Sequence, residues 1–246
     1  MSKETGLGAN FYLDGYDLSG DTGSLEKISK AMTPILQTGI NKRAVERNAG
    51  QLLGSIDWTS FFNPTSAHPP LSLLPRADRI ATYFHRELIG TPAASMVCKQ
   101  LDYAGTRATD GALTFKVSAF SNAWWLDWGL SLTAGIRDDT AATNGAGVDF
   151  GAAYNFGLQG YLQVFEFTGT DATVKLQQSS DNGVGDPFAD VVGGTFTVVT
   201  ADPAKERIAT ARALAVERYL RVVTTGTFTS ISFAVHATVN RTEYTI

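Results

Sequence analysis

From Leu158 to the C-terminus the chain is a succession of short segments in which apolar and polar side chains alternate. In residues 171–177, Val174 and Leu176 fall on one side, with Thr173, Lys175 and Gln177 on the other. In residues 230–236, Ile231, Phe233 and Val235 oppose Ser230, Ser232 and His236. Successive side chains of a strand project to opposite faces, so this alternation predicts sheets with one dry and one wet side. Turn-forming residues punctuate the pattern at 168–170, 180–183, 192–194 and 225–227. Short strands at this spacing predict a β-sandwich, of jelly-roll type, over residues 140–246.

The first half mixes signals. Residues 8–14 predict a strand that ends at an Asp14-Gly15 turn. Ser24 is placed to cap a short helix carrying Leu25, Ile28 and Met32 on one face, with Pro34 stopping it. Residues 54–62 alternate as a strand, and Asn63-Pro64 with His68, Pro69 and Pro70 predict an extended, helix-free connection. Residues 75–88 predict the one substantial helix. There Leu74, Ile80, Phe84 and Leu88 form a stripe, Pro75 lies in the first turn and Gly90 just past the end. Strands are predicted at 95–103 and 112–118 around a turn at 107–111. Residues 138–147 are small and polar, which predicts a linker and a division into residues 1–139 and 140–246. The alternating strands of the second part predict that a fragment from Thr140 folds alone. The fold class is therefore mainly β: an antiparallel sandwich or barrel with a flanking helix, followed by a second β-sandwich.

Composition narrows the class of function. Hydrophobic residues make up 43% of the 246 and charged residues 18%, which argues against disorder. A net charge of −4, with no run of Lys or Arg, does not suit a protein that grips nucleic acid by neutralising phosphates. The start of the chain lacks the apolar core of a signal peptide, and no stretch reaches membrane-span length. Expectations are thus synthesis in a reducing cytosol and no membrane anchor. The single cysteine, Cys98, is expected as a small buried hydrophobe.

Candidate chemistry is sparse. His68, His85 and His236 have no metal-pair spacing, and solvated or structural roles are expected for them. Gly6-Leu7-Gly8 lacks the third glycine and the preceding strand of a dinucleotide fingerprint. Asp181, Asp186 and Asp190 could form a weak calcium loop, but the carboxylate positions of an EF-hand are missing and Asn182-Gly183 favours a turn. Trp124, Trp125 and Trp128 could form a sugar platform; Trp124, Leu126 and Trp128 on one side of an alternating segment favour a core or a subunit interface. No catalytic, cofactor-binding or metal-ligating residue is assigned, no cofactor is expected, and an enzyme is the least expected class.

Residues 161–182, with Phe188, Asp190, Phe196 and residues 216–221, resemble a β-rich segment of tailed-bacteriophage structural proteins. Residues 11–19, 99–103 and 128–135 are similar to the N-terminal half of the same proteins. The family is that of the major tail, or tail tube, proteins of long non-contractile, siphovirus-like tails. The resemblance implies a virion protein, assembled in the host cytoplasm, whose subunits form hexameric rings that stack into a conduit for DNA. It implies a tube wall from the first half, with residues 75–88 as the flanking helix, and a projecting second domain. The implied partners are further copies of the chain, the tape measure and tail terminator proteins, DNA in transit, and a host-surface glycan at the second domain. Other classes considered are a head-decoration or other virion surface protein and a carbohydrate-binding adhesion module. A conduit should not hold its cargo, so Lys42, Arg43 and Arg47 are expected to be paired or to face subunit contacts, with Glu46 as a local partner.

Overall fold

The computed structural model describes residues 4–243. In chain order its strands are β1 (Asn10–Leu13), β2 (Tyr16–Asp17), β3 (Thr22–Leu36), β4 (Arg47–Phe61), β5 (Arg79–Phe84), β6 (Pro92–Arg107), β7 (Leu113–Ser121) and β8 (Asp127–Ser131). They continue with β9 (Arg137–Asp139), β10 (Val148–Asp149), β11 (Leu158–Ser179), β12 (Ala189–Thr195), β13 (Ala204–Ala209) and β14 (Tyr219–Val239). Among the described residues the α-helical content is one short helix, α1 (His68–Ser72). The protein is mainly β and antiparallel, of sandwich type, as the alternation predicts.

The chain forms two compact units, and their segments interleave. One contains residues 1–20, 80–95 and 128–246; the other contains residues 21–79 and 96–127. This differs from a linear division after residue 139. The cause lies in strand pairing: β9 is laced to β14 through Phe233↔Arg137 and Ile231↔Asp139, and Gly145 donates its backbone N–H to Val222 O at 2.8 Å. Residues 138–147 are thus pinned to a strand and are no free linker. Asp139 is buried and binds Arg137 through both oxygens at 2.8 Å, and Thr224 Oγ1 donates to it at 2.6 Å.

The larger unit is organised by β11 and β14, which pair along most of their length. The pairing shifts register at Val164/Glu166, Thr168/Gly169 and Gly169/Asp171. The turn residues at 168–170 therefore form bulges inside a continuous strand, while residues 225–227 pair in regular register with 171–173. Leu162 and Val164 before the bulges share a core with Val174 and Leu176 after them, so the strand pair bends and closes on its own apolar face. Phe196, Val216, Leu220, Phe233 and Val235 complete that core. At the Asp14-Gly15 turn both residues have positive φ, 56° and 78°, which joins β1 to β2 in a two-residue hairpin. A Cβ on Gly15 would lie 2.3 Å from Val164 O, so no other residue fits there.

The helix expected over residues 75–88 is instead β5 with flanking bends. Ile80 and Phe84, four apart, lie on one face of a strand as readily as of a helix, and β5 pairs with β1 from Asn10↔Phe84 to Leu13↔Ala81. The short helix expected after Ser24 is also a strand, β3. A register shift between Leu25 and Lys27 resets the alternation, so Leu25 and Ile28 imitate helical spacing. Pro34 is accommodated because β3 is an edge strand in the smaller unit, where a missing N–H leaves no ladder incomplete. The connection expected to be helix-free contains α1, with proline in its first turn, where the absent N–H costs nothing.

The smaller unit is an antiparallel sheet in the order β3-β4-β7-β6, with β7 returning to lie beside β4. Ile56, Trp58, Met96, Cys98, Val117 and Ala119 are buried in it. Arg79 is also buried, at 2% exposure; its Nη1 donates to Pro70 O at 2.9 Å and to Gln100 Oε1 at 2.5 Å. Gln100 Nε2 donates to Leu71 O at 2.8 Å, so one side chain holds both the guanidinium and α1 in place.

Candidate assembly surface

The most exposed feature is the distal part of the β3–β4 hairpin. β4 pairs with β7 from Ser55 to Phe61, and Gly54 N–H donates to Ser121 Oγ of β7 at 2.8 Å; among the described residues Arg47 to Leu53 pair with β3 and with no other strand. Every residue from 30 to 48 is exposed, including Met32, Ile35, Leu36, Ile40 and Val45. A two-stranded ribbon has no face to bury and is marginal in water unless something packs against it. Among the described residues β3 pairs with β4 and no second strand, and such an edge is a template for pairing with another chain.

The ribbon ends in a basic tip. Lys42 N–H donates to Gly39 O at 3.0 Å, Gln37 N–H donates to Glu46 O at 3.0 Å, and Glu46 N–H donates to Thr38 Oγ1 at 3.0 Å. Glu46 pairs with Lys42 at 3.1 Å. The local carboxylate expected to serve the arginines is thus engaged by the lysine, and Arg43 and Arg47 stand in solvent at the end of the ribbon.

The tryptophans do not fill a core as a group. Leu126 is buried, whereas Trp124 is 44% and Trp128 is 42% exposed. The alternation fails because Ala123 has φ 61° and Trp124 N–H donates to Asn122 O at 2.7 Å, a turn that breaks the strand period. Lys30 Nζ stands over the Trp125 ring at 5.6 Å. Exposed indoles suit an interface or a ligand platform equally well.

The histidines occupy three separate settings. His68 Nδ1 lies 2.9 Å from Tyr103 Oη within an aromatic group that includes Phe62 and Phe115. His85 Nε2 lies 3.1 Å from Glu4 Oε2. His236, expected on a polar face, is fully buried: its Nδ1 is 3.0 Å from Ser95 Oγ, and Tyr161 stacks on the ring at 5.5 Å. Ser95 Oγ donates to Thr82 Oγ1 at 3.0 Å, and Gln163 Nε2 donates to the same oxygen at 3.1 Å. Gln163 Oε1 accepts from Gly15 N–H at 2.7 Å. Ser95 and His236 lie at nucleophile-to-base distance, but both are sealed from solvent and no carboxylate orients the imidazole through any recorded bond. The network satisfies buried polar groups between strands.

Burial pushes the His236 imidazole down from its ordinary 6.5 to about 3. Between those values the unfolded chain binds a proton that the folded protein refuses. Stability from this group is therefore complete above pH 6.5 and declines as the pH falls toward 3, by up to ~1.4 kcal/mol per pH unit. Urea denaturation of His236→Gln across this range is expected to give a flatter pH dependence than the parent; parallel curves would contradict it.

The acidic loop is a turn built by its own aspartates. Asp181 carboxylate oxygens accept N–H groups from Gly185 at 2.5 Å, Val184 at 3.0 Å and Asp186 at 3.1 Å. Those bonds, led by Gly185, hold its carboxyl below the usual range. Asn182 and Gly183 carry φ of 64° and 81°, as the turn reading requires. Asp190 is turned away to Lys175 and Gln177, at 2.7 Å each. Among the described residues no cluster suited to a metal is found. Asp181→Ala is expected to speed amide exchange at Gly185 and Asp186 while calcium leaves the parent's exchange unchanged. Slowed exchange on adding calcium would contradict this.

Cys98 is in no disulfide and is buried, at 0% exposure. Gly6 and Gly8 lie exposed ahead of β1. Among the described residues no helix is long and apolar enough to cross a membrane.

A third surface feature lies in the larger unit: an open cleft of about 430 Å³ lined by Tyr16, Asp17, Asp138, Phe165, Glu166 and Ser232, among others. Sequence reasoning missed it because its residues come from three distant segments. The register places Glu166, Ser232 and Asp138 in one row across β11, β14 and β9. Phe165 sits at the Val164/Glu166 register shift, which allows it and Glu166 to line the same cleft.

No protein-family model matches the chain. A search of curated proteins found no similar sequence. Among solved structures, the chain is similar to the Dit protein of phage SPP1, described as a paradigm of the hub adsorption apparatus in phages that infect Gram-positive bacteria. The likeness has 14% identity and a TM-score of 0.34, and covers 94% of this chain and 99% of that one. Similarity at that level carries no functional argument.

Proposed function

We propose that this chain is a structural subunit of a phage tail, which assembles with copies of itself into stacked rings forming the tube through which DNA passes. The observation that carries this reading is the bare β3–β4 ribbon, with apolar residues exposed on a two-stranded arm and an open β3 edge. Such an arm is stabilised when neighbouring subunits cover its apolar residues and pair its edge. A heterologous contact of this kind, one surface of each copy meeting a different surface of the next, closes into a ring or propagates as a tube. The similarity of residues 11–19, 99–103, 128–135 and 161–182 to tail tube proteins points to the same class. Tape measure and tail terminator proteins are the partners this assignment brings with it.

The exposed Trp124 and Trp128 favour one alternative, an adhesion module that stacks sugars. Electron microscopy of the purified protein over a concentration series separates the two. Rings or tubes that grow with concentration are expected. A protein that stays monomeric throughout, and is carried on particles only as isolated external knobs, would overturn the tube reading.

A further inference from the structure

We propose that the basic tip of the β3–β4 ribbon in one copy docks into the acidic cleft of a second copy. This rests on the self-assembly reading above and names two surfaces that would meet. The tip carries Lys42, Arg43 and Arg47 against the single carboxylate of Glu46. Lys42 and Glu46 hold each other, leaving the two arginines to face outward. The cleft has the opposite character: Asp17, Asp138 and Glu166 line it, together with the rings of Tyr16 and Phe165, and no lysine or arginine does.

The carboxylates are arranged to receive cations. Asp138 and Glu166 flank Ser232 in one cross-strand row, which separates their backbones by about 10 Å at the usual strand spacing. Ser232 Oγ donates to Asp138 Oδ1 at 2.5 Å, and Ser19 N–H donates to Asp17 Oδ1 at 2.9 Å, so each of these carboxylates keeps an oxygen free of a recorded bond. Like charges along one row repel unless a cation sits between them. A guanidinium meets that need better than an ammonium, because its planar fork binds carboxylates and also lies against aromatic rings. Arg43 and Arg47 would supply two such groups on one arm. The apolar residues behind the tip would then lie along the partner's surface, which explains why charge and apolar exposure occur together on one ribbon.

The surfaces are different from each other, so the contact is heterologous and extends from copy to copy. Sedimentation velocity of the full chain at low and high salt tests it, using Arg43→Glu/Arg47→Glu, Asp138→Lys/Glu166→Lys and the variant carrying all four changes. Each reversal alone is expected to weaken association about tenfold or more, the combined variant to restore it, and high salt to weaken the parent. A mixture of the two singly reversed proteins should form a complex that neither forms alone, which requires contact between copies. Asp138→Asn/Glu166→Gln, gentler on the fold, should weaken association in the same direction. Unchanged association in both reversals, in a parent that does assemble, would overturn this contact and leave the tube reading standing. Restoration in the combined variant but not in the mixture would place the contact within one chain and overturn it too. A parent that never associates fails the tube reading itself.

Discussion

Replacing residues 31–48 with a short turn is expected to give a folded monomer that no longer forms rings or tubes. The segment is exposed throughout and contributes nothing to either core, so its removal costs little folding free energy. Its loss takes away exposed apolar side chains and the distal residues 31–36 of the open β3 edge, the features on which assembly is argued to depend. Circular dichroism and thermal unfolding should match the parent, while sedimentation shows only monomer. A truncated chain that still built tubes would show that the ribbon is not an assembly element. Ile35→Asp with Leu36→Asp should act in the same direction, because charge on the ribbon opposes burial against a neighbour.

Phe233→Ala is expected to have the opposite profile, a severe loss of stability. Phe233 has no exposure, pairs across to Val164 and Arg137, and lies in the core that β11 and β14 enclose. Arg137 stands over its ring at 5.4 Å, so truncation removes a cation–π contact as well as a core side chain. Large-to-small changes of this kind cost about 3–5 kcal/mol, a large part of the stability of an ordinary domain. Urea denaturation should show a lower midpoint, and Met32→Ser on the exposed ribbon should change the midpoint hardly at all. Equal effects from the two substitutions would contradict the division into core and assembly arm.

The same two places show how far the sequence can be read. The β11 and β14 faces are legible because Val174 and Leu176, or Ile231, Phe233 and Val235, alternate without interruption and are all buried. Their length is not legible: Gly169 and Gly226 look like turns, and only cross-strand pairing makes the first a bulge and the second a regular position within continuous strands. Residues 75–88 fail for a related reason. Ile80, Phe84 and Leu88 are spaced by four, a multiple of both the strand period and nearly the helix period, so periodicity cannot choose between them. The choice is made by β1, which offers β5 a partner far away in the chain. The interleaved units are likewise a consequence of long-range pairing, which the small, polar composition of residues 138–147 cannot reveal.

The candidate surface divides in the same way. The basic group at 42–47 is visible in the sequence, as is its partial neutralisation by Glu46. Its position at the end of a solvent-exposed ribbon depends on β3 being a strand. The cleft is invisible beforehand because Asp17, Asp138 and Glu166 meet only after β9, β11 and β14 pair and a bulge at Val164/Glu166 redirects two side chains.

Hydrogen exchange on assembled particles and on dilute monomer addresses the central claim most directly. If copies assemble through the ribbon, amides of β3 and of residues 37–54 should become strongly protected in the particles, while the β11–β14 core exchanges alike in both. Particles in which residues 30–49 exchange as fast as in the monomer would contradict assembly through the ribbon.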